Sequence, residues 1–156
     1  MLTYYYCPGA CSTASHIGLE ESGARYERKA VDLPNHEQMT PEYRKVNPRG
    51  KVPVLRLEDG STLVENTAIL FYLAHRYPEK HLLPPDFTAQ ARCISMMTWL
   101  SSAVHPPFTH IRRPERFTDD AAGIPAIQSM GKKTFWTQLE ELDALIAGKA
   151  WMQGDH

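Results

Sequence analysis

Asn47-Pro48-Arg49-Gly50-Lys51-Val52-Pro53-Val54-Leu55-Arg56-Leu57-Glu58-Asp59-Gly60-Ser61-Thr62-Leu63-Val64-Glu65 reads in order as a turn, a strand, a hairpin and a second strand. Asn47-Pro48 interrupts whatever precedes it, because the residue before a proline is steered away from helix. Val52 to Leu57 carries the β-branched and aliphatic residues of a strand. Asp59-Gly60 supplies the backbone a tight hairpin needs, and Ser61 to Glu65 returns as the partner strand. Pro53 has no N–H for a sheet ladder and belongs at a strand's first residue or edge. A trans bond before it leaves an ordinary strand start. A cis bond turns the Val52 N–H and C=O outward as a docking edge for an extended peptide.

The flanking sequence extends this pattern in both directions. Upstream, Leu2-Thr3-Tyr4-Tyr5-Tyr6 has strand character, and Pro8-Gly9 breaks it. Ser12 or Thr13 then caps a helix running to about Ser22, with Gly23 as its stop. Tyr26 to Leu33 reads as a second strand ended by Pro34, and Thr40-Pro41-Glu42 opens a short helix. Downstream, Ile69, Leu70, Leu73 and Ala74 follow helical spacing from Asn66 to Tyr77-Pro78. The predicted order is β-α-β-α-β-β-α in a domain spanning 1–79. Residues 79–87 form a linker. The pattern then becomes helical only, giving an all-α domain over 87–156. One helix covers Ala89 to Val104 and is halted by His105-Pro106-Pro107; another covers Pro125 to Ile146 and ends at Gly148.

Composition narrows the class of partner. In 156 residues, 42% hydrophobic and 22% charged, the formal net charge is −1, so no general field attracts nucleic acid or an anionic membrane. The N-terminus lacks the basic and apolar regions of a secretory signal. No apolar run approaches the length of a membrane-spanning helix. Three cysteines, Cys7, Cys11 and Cys93, are an odd count without an export signal, which favours reduced thiols in a cytoplasmic protein.

Several side chains have both a structural and a chemical reading. Cys11 lies between a turn and a helix start, where free N–H groups and the dipole favour an anionic sulfur; the alternative is a small buried hydrophobe. Ser12 either donates to that sulfur or caps the helix. Tyr6 either reaches the sulfur with its hydroxyl or packs as a core ring, and its register against Tyr4 and Tyr5 is open by one. His105 either complements a helix end or serves as a donor or base. Glu65 is a solvated turn residue or a partner for a cationic group, and Asn66 can cap a helix and hold a carboxylate. Cys7-x3-Cys11 with His16 has ligand-pair spacing, but no second Cys/His pair follows, so no metal is expected. That spacing is not a C-x-x-C redox pair, though it leaves a disulfide across a flexed loop open. Cys93 falls in an apolar helix and is read as packed.

The segment 47–55, then Asp59-Gly60, then Glu65-Asn66-Thr67-Ala68-Ile69-Leu70-Phe71-Tyr72-Leu73-Ala74, resembles the N-terminal domain of cytosolic glutathione S-transferases. Tyr6-Cys7-Pro8-Gly9-Ala10-Cys11-Ser12 with His16-Ile17 resembles the bacterial beta class, as does His105 with Phe108-Thr109 and Arg113-Pro114. The resemblance implies a thioredoxin-like N-terminal domain and an all-helical C-terminal domain. It implies a cis Val52-Pro53 bond whose Val52 backbone pairs with glutathione, and Glu65 with Asn66 on the γ-glutamyl group. Family members usually carry serine or another small residue at the second of these places. Cys11 would lie against the glutathione sulfur, with Tyr6 and His105 nearby. The family's basic contact to the glycyl carboxylate falls near Asn35-His36, with His36 as the candidate.

The resemblance also implies further helices beyond Trp151-Met152-Gln153-Gly154-Asp155-His156. The expectation is therefore a truncated helical domain whose two helices expose apolar faces. The activity it implies is conjugation of glutathione, as co-substrate, to a small hydrophobic electrophile by a homodimer. The alternatives are a glutathione-dependent thiol-disulfide oxidoreductase using Cys11, or a non-catalytic glutathione-binding fragment.

Overall fold

The tyrosine run at the N-terminus becomes an inner strand because its side chains alternate between two apolar faces. In the computed structural model, which describes residues 1–152, strand β1 (Leu2–Tyr6) pairs in parallel with β2 (Tyr26–Ala30) and antiparallel with β3 (Val54–Arg56). Strand β4 (Thr62–Val64) pairs antiparallel with β3, giving the order β2-β1-β3-β4. Leu2 and Tyr4 pack on one face with Leu19, Leu55, Ile69 and Leu73. Tyr5 packs on the other with Val31, Tyr43, Val52 and Val54. The period of two along a strand thus builds both cores of one unit, Met1–Leu83.

Helices α1 (Thr13–Ser22) and α3 (Asn66–Arg76) cover the first face, and α2 (Pro41–Val46) covers the second. Gly18 lets α1 approach α3, since a Cβ there would fall 2.5 Å from a methyl of Leu70. Gly23 ends α1 with φ of 68°. Thr40 caps α2 by accepting from the Tyr43 N–H at 3.2 Å. The β-α-β-α-β-β-α order read from the sequence is present. Strand β2 is shorter than the predicted Tyr26–Leu33. After Ala30 the chain leaves the ladder, and the Asp32 carboxylate accepts from Asn35 N and Nδ2 at 3.1 and 2.7 Å. A turn of 3₁₀ helix, Glu37–Met39, then leads to α2.

The second unit begins at Pro84. Helix α4 (Phe87–Trp99) starts where the Asp86 carboxylate accepts from the Ala89 N–H at 2.8 Å. His105-Pro106-Pro107 does not halt the helical path as the sequence suggests. A π-helical turn, Leu100–Val104, carries it into α5 (His105–Arg112). The prolines fall in the first turn of α5, where a missing N–H costs least. The wider π turn accommodates the change of pitch, and the Ser101 and Ser102 hydroxyls both donate to Thr98 O, at 3.0 and 2.7 Å. His105 therefore opens a helix rather than closing one, which removes its reading as a C-terminal cap. Helix α6 (Ile124–Ile146) follows with Pro125 in its first turn. Met130 and Trp136 on α6 are exposed. No helix among the described residues is long and apolar enough to cross a membrane.

Helices α5 and α6 meet at Gly131, where an added Cβ would stand 2.8 Å from the His110 Cβ and 3.0 Å from the Pro107 carbonyl oxygen. Backbone cannot yield there as a side-chain tip can. Gly131→Ala should lower stability by about 1–2 kcal/mol even though alanine favours helix, read as a lower urea midpoint with an unchanged m value. Gly18→Ala, whose one close contact is the end of the Leu70 side chain, should cost less.

Candidate functional site

Three segments of the first unit converge around Cys11. The first is the loop between β1 and α1, folded back by the Ala10 N–H bonding to Cys7 O at 3.2 Å. Buried Ser12 closes this loop: its hydroxyl donates to Cys7 O at 3.0 Å and accepts from Cys7 N–H at 3.1 Å. The Tyr4 hydroxyl also donates to the Ser12 carbonyl. The Ser12 side chain makes no cap bond to α1, so its hydroxyl acts as a staple of the loop.

The second segment precedes β3. The Lys51 carbonyl accepts from the Tyr43 hydroxyl at 2.8 Å and from Asn47 Nδ2 at 2.9 Å. The Val52–Pro53 bond that follows is cis. Val52 O accepts from Cys11 Sγ at 3.7 Å, and among the described residues the Val52 N–H has no hydrogen-bond partner. An unpaired N–H beside a lightly held C=O is what an incoming main chain needs.

The third segment is the junction of β4 and α3. Glu65 is exposed, with a positive φ of 74°, and its Oε1 lies 3.7 Å from Arg49 Nη1. Asn66 does not merely open α3. Its Nδ2 donates to Cys11 O at 3.0 Å while its Oδ1 accepts from the Ser15 hydroxyl at 2.5 Å. It thereby ties the helix start to the cysteine loop.

Cys11 is exposed as a residue, yet its sulfur does not have the electrostatics expected of a helix start. Loss of water around it pushes the thiol up from its ordinary value. The Asn66 side chain and the Cys11 and Ser12 backbone oppose that shift, whereas the Glu65 charge adds to it. The sulfur precedes the helix and rests against a carbonyl, so desolvation outweighs the dipole. At neutral pH Cys11 is a thiol.

Cys11, Ser12, Val52 and Asn66 are thus brought together, with Pro53 and Glu65 adjoining. Tyr6 packs on the Leu19 side of the sheet, its ring stacked on Tyr4 at 6.0 Å and tilted against His16 at 5.3 Å. Of the tyrosine run, Tyr4 is the one whose hydroxyl meets the loop. His36 is exposed at φ 59° and bonds through its N–H to Leu33 O. His105 belongs to the second unit, where its ring lies 6.3 Å from that of Phe108. His16 stands among Tyr4, Tyr6 and Tyr26. Tyr43, Asn47, Ser15 and Arg49 escaped the sequence reading. Asn47 and Ser15 are buried polar residues, a property that composition does not reveal.

Residues 8–76 match the family described as glutathione S-transferase, N-terminal domain. The glutathione S-transferase GstA of Escherichia coli O157:H7 is 40% identical over 113 residues, covering 71% of this chain and 56% of the relative. Glutathione S-transferase GST-4.5 of Xanthomonas campestris is 32% identical over 154 residues, 97% of this chain and 73% of the relative. The first curated relatives are matched over 45% to 56% of their length, so the chain spans about half of them. A Sulfitobacter glutathione transferase homologue solved with bound glutathione superposes with a TM-score of 0.89 at 34% identity, over 95% of this chain and 72% of that one. The beta-class enzyme of Sphingomonas chungbukensis gives 0.85 at 33% identity, over 99% and 74%.

Alkylation of Cys11 by iodoacetamide should rise with pH to a midpoint above that of a free cysteine, measured in a C7S/C93S background. Glu65→Gln removes a raising charge and should bring the midpoint down. Asn66→Ala removes an opposing contact and should take it further up.

Proposed function

Because the chain belongs to the glutathione S-transferase family, we propose that its first unit binds glutathione and that the chain conjugates it to a small hydrophobic electrophile. The cysteinyl main chain of the tripeptide pairs with the Val52 N–H and C=O. Its γ-glutamyl ammonium meets Glu65, and its carboxylate meets the N-terminus of α3 at Asn66. His36 is assigned to the glycyl carboxylate. The observation that carries this reading is the Val52 N–H, which has no partner among the described residues, next to the cis Val52–Pro53 bond and on the residue whose carbonyl meets Cys11 Sγ at 3.7 Å.

A protonated Cys11 suits transfer chemistry. The nucleophile is the glutathione thiolate, and a neutral thiol beside it donates a hydrogen bond to the anion rather than competing with it. Burial that keeps Cys11 protonated thus favours conjugation over a primary role for Cys11 as nucleophile. Ser12 holds the loop that carries this thiol. A homodimer in the cytoplasm, with three free thiols, belongs to the same reading. No metal enters it.

The exposed position of Cys11 supports a second reading, a glutathione-dependent thiol-disulfide oxidoreductase in which Cys11 attacks. A non-catalytic glutathione-binding fragment is the third. Titration calorimetry with reduced glutathione should show saturable binding, weakened about tenfold or more by Glu65→Gln; no heat from the unaltered chain would overturn the proposal. Cys11→Ala should retain part of the conjugation of an aryl halide but abolish disulfide reduction. Binding with neither activity would select the third reading.

A further inference from the structure

Cys7 takes no part in the site described above, and three observations give it a role. The loop that carries it is folded back on Cys11. Ala10 N–H bonds to Cys7 O, and Ser12, the residue after Cys11, contacts both the N–H and the C=O of Cys7. Both thiols are free, Cys11 exposed and Cys7 half-buried. Cys7 also lines a cavity of about 390 Å³ with Pro8, Val31, Asp32 and Glu37, so it is not sealed in the interior.

The present contacts of the two sulfurs are weak and exchangeable. Cys7 Sγ lies 3.6 Å from Pro8 O, and Cys11 Sγ lies 3.7 Å from Val52 O. Between them Gly9 has φ of 72° and no atom within 4 Å of where a Cβ would be. A glycine at this place leaves the turn the widest choice of backbone angles, on which a bond between residues four apart draws.

We propose that Cys7 is a resolving thiol for Cys11. Oxidised glutathione is the co-reactant, so the proposal rests on the glutathione reading above. At mildly alkaline pH Cys11 gives up its proton, and its thiolate attacks one sulfur of glutathione disulfide. The disulfide breaks, a Cys11–glutathionyl bond forms, and the first glutathione leaves as a thiolate that takes up a proton. Cys7 then gives up its proton and its sulfur attacks Cys11 Sγ. The Cys11–glutathionyl bond breaks, a Cys7–Cys11 bond forms, and the second glutathione leaves and is protonated. Two protein thiols are oxidised and one glutathione disulfide is reduced to two thiols. Two molecules of reduced glutathione drive the same steps backwards. The closed pair removes the Cys11 thiol from the Val52 carbonyl, so oxidation alters the same rung on which the tripeptide docks.

The test treats the unaltered chain and Cys7→Ser with excess oxidised glutathione at mildly alkaline pH, quenches with acid at intervals and maps peptides by mass spectrometry. The unaltered chain should pass briefly through one glutathionyl adduct on Cys11. It should end two hydrogens lighter, with residues 7 and 11 cross-linked. In Cys7→Ser the Cys11 adduct should persist about tenfold longer or more, because no intramolecular thiol competes for it. An adduct on Cys11 that persists equally in both proteins overturns the resolving role while leaving the glutathione reading intact. An adduct on Cys7 in place of Cys11 also overturns it. No adduct on either thiol overturns this proposal and counts against glutathione at this site as well.

Discussion

One carbonyl, that of Lys51, receives two side-chain donors, the Tyr43 hydroxyl and the Asn47 amide, and the geometry of the site follows from that pair. Both donors come from α2 or its end, so the helix holds the segment before Pro53 from beneath. Tyr43 is anchored in its turn by packing against Val31, Val52 and Val54 and by an edge-on contact with the Tyr5 ring at 6.1 Å. Burial pushes its hydroxyl well above the usual tyrosine range, so it stays a donor wherever the protein is folded near neutral pH. With Lys51 fixed, the next residue has little choice. Val52 buries its side chain in the second core and offers its main chain outward, two residues before the strand begins.

The outline of the first unit was legible because its elements are punctuated by residues with hard stereochemical rules. Pro8-Gly9, Gly23, Pro34, Pro41, Pro48 and Asp59-Gly60 mark nearly every boundary, and the tyrosine run could only be a strand with two faces. The site was legible where a residue's chemistry is local, as with Cys11 between turn and helix or Asn66 at a helix start. It was not legible where the deciding contact crosses the fold. Asn66 looks like a cap, yet its amide bridges Ser15 and Cys11, which are far away in sequence. Ser12 looks like a cap or a donor, yet it is bonded both ways to Cys7. The direction of the Cys11 shift was misjudged for the same reason. Proximity to a helix start can be read from spacing, whereas the amount of water excluded around the sulfur cannot.

The helical unit shows a different kind of failure. Two consecutive prolines are the strongest stop signal in the chain, and they sit at a start. What reconciles them is the π turn, whose altered spacing is written in no single residue. Ser101 and Ser102, both bonded to Thr98 O, are its trace in the sequence, and serine pairs are too common to have pointed to it.

Glu65 holds its backbone at φ 74° and ψ 130°, a region that side chains other than glycine enter at a cost of about 1–3 kcal/mol. The position is therefore contested between two demands. Selection for durability alone would install glycine there and relax the chain, whereas retaining a carboxylate beside Arg49 requires the tension to remain. Glycine there is a single-residue route to a sturdier protein that gives up the pairing with Arg49. The identity of this one residue is accordingly a sensitive mark of whether that charge is still under selection.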